Sequence, residues 1–303
     1  MRRRLLVVTN PGAGLGGSSL VDATIRVLER EGAVVTRCQP ADAMAARDAV
    51  RKAAEERAHD AVVAAGGDGT IRHAAAALLG KATPLGIIPV GTGNVLAHEI
   101  GLAPRPEVVA HVLLTGPTAR IACAQANGEP FLLMAGAGFD ARVVAALDQR
   151  FKSRLGKIAY AGPLLGALAQ PMDRLTVTID ARAHQASWAV VANARCYGGG
   201  FIMAPRTSVR QRGLQAILFR ARSRTMLLSQ LMSLVRGDLD ARATAGGDIA
   251  MLPCSHVSIT APRPVPVQID GDVFGTTPLV VEEGTGELDL IVPGAPGNGG
   301  SAH

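Results

Sequence analysis

Short apolar runs alternate with longer helical stretches over the first third of the chain. The apolar runs have the length and the Val, Ile, Leu and Ala content of buried strands. Ser18–Glu31 spaces its apolar residues as a helix does, and Ala41–Arg57 is rich in Ala, Arg and Glu. Strands that alternate with helices predict a parallel sheet with helices on both faces. The predicted strands are Leu5–Thr9, Ala33–Thr36, Ala61–Ala65 and Leu85–Pro89.

The pattern changes after about residue 122, where many short apolar runs are separated by Pro and Gly turns. Such runs predict a β-rich second domain, either a sandwich or an open barrel. Helices are predicted between some of them, at Ala141–Phe151, Ile158–Ala169 and Thr225–Val235. The predicted strands are Phe131–Met134, Leu175–Ile179, Trp188–Ala192, Leu214–Phe219, Val257–Thr260, Val265–Ile269, Leu279–Val281 and Leu288–Val292.

A chain of 303 residues has room for two domains with their own cores. We expect an α/β domain over residues 1–122 and a β-rich domain over residues 123–292, whose last strand could return to the first domain. Residues 293–303 are rich in Gly, Pro and Asn and are expected to form a disordered tail.

Charge, aromatic content and the length of the apolar runs indicate which classes of partner the chain binds. The net charge of +6 favours anionic partners such as nucleotide phosphates or lipid headgroups. Aromatic residues are only 3% of the chain and are not interleaved with basic ones, which makes a nucleic-acid binder the less favoured interpretation. No apolar run reaches the 18 or so residues of a membrane span, and Leu5–Val8 is too short for a signal peptide. The expected location is the cytoplasm, with peripheral contact to the inner face of the membrane.

Three glycine-rich loops follow predicted strand ends in the first domain, at Asn10–Gly17, Gly66–Thr70 and Pro89–Asn94. In a parallel sheet the carboxyl ends of the strands form one edge, and ligands bind there. Glycines let backbone N–H groups turn towards an anion, and a following helix start adds positive potential. The loops therefore predict a phosphate site, although the first is not a P-loop because no Lys follows it.

The second and third loops carry side chains suited to a nucleotide. Asp68 could hold Mg²⁺, and Thr70 could bond a phosphate oxygen at the start of a helix. Thr92 and Asn94 offer a hydroxyl and an amide to a phosphate or a ribose. The alternative is that Asp68 or Thr70 merely caps a helix, but a Gly-Gly-Asp-Gly run is uncommon in a simple cap.

These three loops, in this order, resemble the diacylglycerol kinase catalytic domain family, which includes sphingosine and ceramide kinases and the bacterial YegS-like lipid kinases. Downstream segments are also similar to the family, at Gly136–Asp140, at Ala204-Pro205 followed by Gly213-Leu214, and at Asp270–Asp272. The resemblance implies a three-layer α/β nucleotide-binding domain, a β-sandwich domain for the lipid acceptor, and an active site in the cleft between them. It implies an ATP- and Mg²⁺-dependent lipid kinase that phosphorylates a hydroxyl of diacylglycerol or a related lipid.

The resemblance also implies roles for single residues. Asp270 would be the general base for the lipid hydroxyl, with Asp68 as the other candidate. Asp68 and Asp272 would hold the metal, and Asp140 would lie near the acceptor. The nucleotide would be bound by Asn10, Gly12, Gly14, Gly67, Asp68, Gly69, Thr70, Gly91, Thr92, Gly93, Asn94 and Asp272.

The sequence departs from the family pattern at three positions. Leu15 replaces a basic residue of the first loop, and Asp272 stands where Glu is usual. Arg212 replaces an Asp of members that carry a structural magnesium, so that metal site is not expected here. The apolar stretch Met226–Val235 favours core packing over contact with lipid, and both interpretations stay open.

Two other functions remain as alternatives. An NAD kinase-like enzyme shares the Gly-Gly-Asp-Gly loop and would phosphorylate a soluble metabolite. A catalytically inactive homologue would bind nucleotide or lipid, although the presence of both Asp68 and Asp270 argues against it. The sequence leaves open which lipid is the acceptor and whether the chain forms a homodimer.

Overall fold

A computed structural model of the chain describes residues 1–9, 15–147 and 161–294. The chain divides into two compact units. Unit 1 contains Met1–Gly91, Ile100–Ile121 and the C-terminal segment from Leu288, and unit 2 contains Thr92–Glu99 and Ala122–Glu287. Within the described ranges, no helix has the length and hydropathy needed to cross a bilayer.

Unit 1 is built on a parallel sheet with the strand order β2-β1-β3-β4, and the end of β18 pairs with β4 in parallel. Strand β3 is buried over its whole length, which explains why it reads as an unbroken apolar run. Helix α1 packs against α5, and α2 packs against α3. The strands are β1 Arg4–Thr9, β2 Val34–Cys38, β3 Ala61–Gly66 and β4 Leu85–Pro89; the helices are α1 Leu15–Arg30, α2 Ala43–Glu56, α3 Asp68–Leu78, α4 Val95–Ile100 and α5 Pro106–Thr115.

Unit 2 is a β-sandwich. One antiparallel sheet has the order β14-β13-β10-β7-β16-β17, and the other contains β18-β15-β8-β9, with β5 paired to β18 and β6 paired to β5. Buried side chains of both sheets form one core, which includes Phe131, Val177, Val191, Leu218 and Val257. The strands are β5 Thr118–Ala126, β6 Glu129–Phe131, β7 Met134–Ala137, β8 Leu175–Ile179, β9 Arg182–Ala186, β10 Trp188–Ala192, β11 Cys196–Tyr197, β12 Phe201–Ile202, β13 Leu214–Phe219, β14 Ile249–Cys254, β15 His256–Thr260, β16 Pro266–Ile269, β17 Asp272–Thr276 and β18 Leu279–Ile291.

The helices of unit 2 agree with the predicted ones in position but not in every boundary. The helix predicted over Ala141–Phe151 runs from Phe139 to Ala145, and the remainder of the prediction extends beyond the described residues. The other described helices of this part of the chain are α7 Ala161–Ala169, α8 Arg224–Arg236 and α9 Leu239–Arg242, with α6 being Phe139–Ala145.

The α/β and sandwich classes are confirmed, and two strand predictions are wrong in detail. The strand predicted over Phe131–Met134 is two strands, because β6 ends at Phe131 and β7 begins at Met134. The strands predicted at Leu279–Val281 and Leu288–Val292 are one strand, β18. Glycines in the middle of β18 interrupt its apolar pattern, so the sequence suggested a break where the backbone continues.

Gly284 is required where β18 passes close to β5. A Cβ at this position would lie under 3.0 Å from the backbone carbonyl of Cys123. Backbone cannot rotate aside as the end of a long side chain can, so any side chain here would push the strands apart.

We predict that Gly284→Ala lowers the free energy of unfolding by about 2 kcal/mol, because the added methyl group overpacks this crossing. Urea unfolding followed by circular dichroism measures the change. Gly166→Ala is the matched control: a Cβ there meets nothing within 4 Å, and in helix α7 alanine is the better helix former. Equal stability of Gly284→Ala and wild type would show that the crossing is not tight.

Candidate nucleotide and acceptor site

The turn between β3 and α3 is shaped by the packing of Thr70 on Gly66. Strand β3 ends at Gly66, and α3 begins at Asp68 with Gly67 as its N-cap. A Cβ on Gly66 would lie 2.5 Å from Oγ1 and 2.7 Å from Cγ2 of Thr70. Only glycine at position 66 therefore allows the Thr70 side chain to lie over the end of the strand.

A second glycine turn lies directly beside the first. In the parallel pairing of β3 with β4, Gly66 is opposite Pro89, and the N–H of Val90 donates to the Gly66 carbonyl at 3.2 Å. A Cβ on Gly67 would be 3.4 Å from the Cα of Gly91. The backbones of the two predicted phosphate loops are thus in contact within unit 1.

The first predicted loop starts from the same edge of the sheet, since Thr9 at the end of β1 is opposite Ala65 of β3. Its residues Asn10, Gly12 and Gly14 lie outside the described part of the chain, and so their roles stay predictions.

The start of α3 suits a nucleotide phosphate. The first-turn N–H groups of a helix have no intrahelical acceptor and carry positive potential. Gly67, Gly69 and Gly91 add no side chains that would keep a phosphate away from these groups. A triphosphate fits this lining of glycines and helix amides.

The start of α3 offers a carboxylate, which is one of the ligands that a magnesium ion takes. Within the described ranges, no group of three or more His, Cys, Asp or Glu side chains could hold a metal. Mg²⁺ usually binds through one or two carboxylates together with substrate phosphates and water. Asp68 lies in the first turn of α3, where its carboxylate would be a ligand of this kind.

Thr92, Gly93 and Asn94 follow the second glycine turn and belong to unit 2. Asn94 has a left-handed φ of +48° and its carbonyl accepts the N–H of His98 in α4. The glycine-rich turn between β11 and β12 packs on this segment: a Cβ on Gly199 would be 3.6 Å from the Gly93 carbonyl.

Glu99 fixes that turn to α4. One of its carboxylate oxygens accepts the N–H groups of Arg195 at 3.1 Å and Cys196 at 3.0 Å. The sequence analysis did not predict this contact of Glu99. Three consecutive glycines at 198–200 were nevertheless a signal that backbone approaches closely here.

Asp270 occupies the first position of a tight hairpin between β16 and β17. Ile269 pairs with Asp272, and both loop residues have left-handed φ angles, +49° for Asp270 and +81° for Gly271. Two such residues define a type I′ turn, for which Asp-Gly is a preferred sequence. The motif therefore has a structural function whatever its chemical one.

The Asp270 carboxylate binds the backbone that connects β6 and β7. It accepts the N–H groups of Leu132 at 2.9 Å, Leu133 at 2.9 Å and Met134 at 3.0 Å, and it is 6% exposed. These bonds stabilise its negative charge. They also take N–H groups out of the sheet, which explains why the strand predicted at this place is interrupted.

Asn193 holds the same segment from its carbonyl side. Its amide donates to the carbonyl oxygens of Leu132 at 2.7 Å and Ala122 at 3.0 Å, and the side chain is 2% exposed. Sequence reasoning did not select Asn193. Its position directly after a buried apolar strand was the available signal, because a polar group buried there needs partners.

Asp140 is connected to this hairpin through Gln268. Gln268 donates to Asp140 at 2.9 Å and accepts the N–H of Gly271 at 2.9 Å. The second oxygen of Asp140 accepts the N–H of Ala141 at 2.8 Å. Burial raises the pKa of the Asp140 carboxyl to about 6, although bonds from Gln268 and Ala141 oppose the rise. Gln268, itself buried, was also missed from the sequence.

Two further sequence expectations concern metals. Asp272 begins β17, on the strand side of the same hairpin. Arg212 donates to Glu287 at 2.7 and 3.1 Å and to the carbonyl of Gly284 at 3.1 Å. A fixed positive charge therefore ties the segment before β13 to β18.

Comparison with known proteins identifies the family. Residues 4–126 match the diacylglycerol kinase catalytic domain, and residues 134–294 match the YegS C-terminal NAD kinase beta sandwich-like domain. The chain belongs to the YegS-like diacylglycerol kinase family. The matched catalytic domain is that of a lipid kinase, and relatives of the chain are named "Diacylglycerol kinase" and "Probable lipid kinase YegS". Membership implies ATP as the phosphoryl donor.

Similar proteins include "Diacylglycerol kinase" of Mycobacterium tuberculosis, with 28% identity over 96% of this chain and 95% of that protein. "Probable lipid kinase YegS" of Escherichia fergusonii is 30% identical over 70% of this chain and 71% of that protein. "Uncharacterized protein sll0036" of Synechocystis is 31% identical over 77% of this chain, which spans only 54% of that protein.

Among solved structures, a candidate diacylglycerol kinase from Bacillus anthracis superposes with a TM-score of 0.77. The match covers 96% of this chain and 97% of that chain at 20% identity, so it supports the fold alone.

We predict that Gly66→Ala weakens ATP binding and lowers kcat/KM by about 100-fold, because the added methyl group displaces Thr70 from the phosphate turn. Equilibrium binding of a fluorescent ATP analogue and a coupled ADP assay measure the two effects. Gly246→Ala is the control, since a Cβ there meets nothing within 4 Å. Unchanged binding by Gly66→Ala would contradict the proposed shape of the turn.

Asp140 should make the fold less stable as the pH rises. Its pKa in the folded state, about 6, lies above the ordinary value of 3.8, so the folded state holds a proton that the unfolded state has lost. Its contribution is greatest below pH 4 and is lost as the pH rises through 6, by about 3 kcal/mol at most.

Asp140→Asn should flatten this dependence, because the amide does not titrate. Urea unfolding at several pH values between about 4 and 7 measures it. Asp22→Asn, at a partly exposed salt bridge on α1, is the control. A slope in Asp140→Asn equal to that of wild type would exclude Asp140 as the group responsible.

Proposed function

We propose that the chain transfers the γ-phosphate of ATP to a hydroxyl of diacylglycerol or a closely related lipid, with Mg²⁺ bound to the nucleotide. The observation that carries the proposal is the pair of adjoining glycine turns after β3 and β4 in a chain of this family.

Each phosphate-binding residue has a defined task in the proposed reaction. The amides at the start of α3 hold the phosphates, and Thr70, Thr92 and Asn94 add hydroxyl and amide bonds. Mg²⁺ bound at Asp68, with Asp272 as a second carboxylate, would neutralise charge on the phosphates. Phosphoryl transfer depends on such positioning and charge neutralisation more than on a strong nucleophile.

We infer that Asp270 accepts the proton of the lipid hydroxyl. A carboxylate within hydrogen-bond reach is sufficient for this task. The three N–H donors fix the position of the Asp270 carboxylate, which supports its assignment as the group that meets the substrate hydroxyl. Positioning therefore contributes much of its proposed effect.

Because the proposed acceptor is a lipid, the reaction takes place at a membrane surface. We propose that the enzyme works from the cytoplasm, where ATP is available, and meets the lipid by peripheral contact with the inner leaflet. Asp140 then has a supporting role: through Gln268 it holds the hairpin that carries Asp270.

The proposal predicts label transfer from γ-labelled ATP to diacylglycerol in mixed micelles, measured beside phosphatidylglycerol, a sphingoid base and NAD. Asp68→Asn and Asp270→Asn should each lower the rate by a factor of about 100 or more. Label on NAD alone would favour the soluble-metabolite kinase, and no transfer to any acceptor would favour an inactive homologue.

Because Asp270 also binds backbone, its loss can act through structure. Asn193→Ala is the matched control, since it loosens the same Leu132–Met134 segment and leaves the carboxylate in place. Thermal unfolding of both variants is measured beside activity. Full activity in Asn193→Ala, with destabilisation equal to that of Asp270→Asn, supports the base; equal loss of activity in both assigns Asp270 a positioning role.

A further inference from the structure

Helix α8 exposes a line of apolar side chains to solvent, while its buried side contains Leu227 and Leu234 together with two polar residues. Leu228, Met232 and Val235 are 45%, 49% and 58% exposed. Gln230 and Ser233, on the opposite side, are 0% and 1% exposed. A surface helix normally exposes polar side chains on its outer face, so the exposed apolar residues are the unusual feature. The spacing of the exposed residues, i, i+4 and i+7, places them in one line along the helix, which we call the apolar stripe.

The rotation of α8 is fixed by its buried polar residues. The amide of Gln230 donates to the carbonyl of Asp248 at 2.9 Å and to its carboxylate at 3.2 Å. The hydroxyl of Ser233 accepts from Arg242 at 3.2 Å. Turning the stripe inward would break these bonds and bury polar groups without partners. The exposure of the stripe is therefore built into the fold.

Both ends of α8 are also defined. Ser223 caps the first turn by accepting the N–H of Met226 at 3.2 Å. Gly237 ends the helix with a left-handed φ of +76°, and its N–H returns to Leu234. Strand β12, which packs against α8, adds Phe201 at 42% exposure. The stripe thus lies on a well-anchored helix with a further exposed apolar side chain on a neighbouring element.

The charge around the stripe is positive. Residues 222–236 contain three arginines, Arg222, Arg224 and Arg236, and no acidic residue. All three are exposed, and Arg236 forms a salt bridge of 3.2 Å with Asp238. Apolar side chains flanked by arginines match an anionic bilayer, in which headgroups meet the cations and acyl chains meet the apolar groups.

We propose that the apolar stripe of α8 is the surface through which this lipid kinase docks on an anionic membrane. The inference rests on the proposed function to the extent that the acceptor lies in a bilayer. The competing occupant is a second copy of the chain. Apposing two stripes would bring two sets of arginines together, and like charges oppose that contact.

The test is cosedimentation of the intact protein with vesicles of phosphatidylcholine alone and with phosphatidylglycerol added. Wild type should bind the phosphatidylglycerol vesicles more tightly. The triple variant Leu228→Ser, Met232→Ser and Val235→Ser should bind them about tenfold or more weakly, because it loses the inserted apolar groups. The control is Val34→Ser with Met44→Ser, two residues of unit 1 that are 66% and 68% exposed and should not affect binding.

Two further measurements separate this surface from the chemistry. With a short-chain diacylglycerol dissolved as monomers, the triple variant should keep wild-type kcat, whereas its rate on vesicle diacylglycerol should fall with binding. Light scattering reports oligomeric state. Vesicle binding equal to wild type, or a wild-type dimer that the triple variant converts to monomer, would overturn the proposal. Stripe-dependent binding without phosphorylation of any lipid would instead refute the acceptor assignment and leave the surface supported.

Discussion

The parallel pairing of β3 with β4 is the constraint on which the nucleotide site depends. Its register sets Gly66 opposite Pro89, so the two turns that follow begin at the same height and lie in backbone contact. A Cβ on Gly67 would lie 3.4 Å from the Cα of Gly91, so any side chain added there would sit directly against the neighbouring turn. The start of α3 is then positioned by the sheet together with the packing of Thr70 on Gly66.

The Asp270 carboxylate is both a structural group and the proposed general base. Asp270 ends a strand, makes a hairpin and binds three consecutive backbone N–H groups. Asn193 and Gln268 complete a buried network of polar side chains around this hairpin and the β6–β7 connection. A group fixed by so many bonds has little freedom left to lose on binding, which is the property that the proposed general base requires.

Sequence was sufficient for the features that depend on local pattern. The α/β alternation, the buried strands and the glycine loops follow from neighbouring residues, and the family motifs from short segments. Asn193 and Gln268 could not be found in this way, because their partners lie 61 and 128 residues away along the chain. Strand β9 was missed for another reason: it is a mostly exposed edge strand, Arg182–Ala186, without an apolar alternation. The exposed apolar side of α8 was likewise invisible, since composition does not show which side of a helix is buried.

The side chain of Arg212 determines how β18 is held in the sandwich. Its guanidinium joins Glu287 and the Gly284 carbonyl through a covalently attached charge. A bound divalent ion exchanges with the medium and can be removed by a chelator, whereas an arginine keeps its charge at every physiological pH. The anchoring of β18 by Arg212 therefore comes from the protein's own covalent chain and needs no exchangeable ion for these bonds.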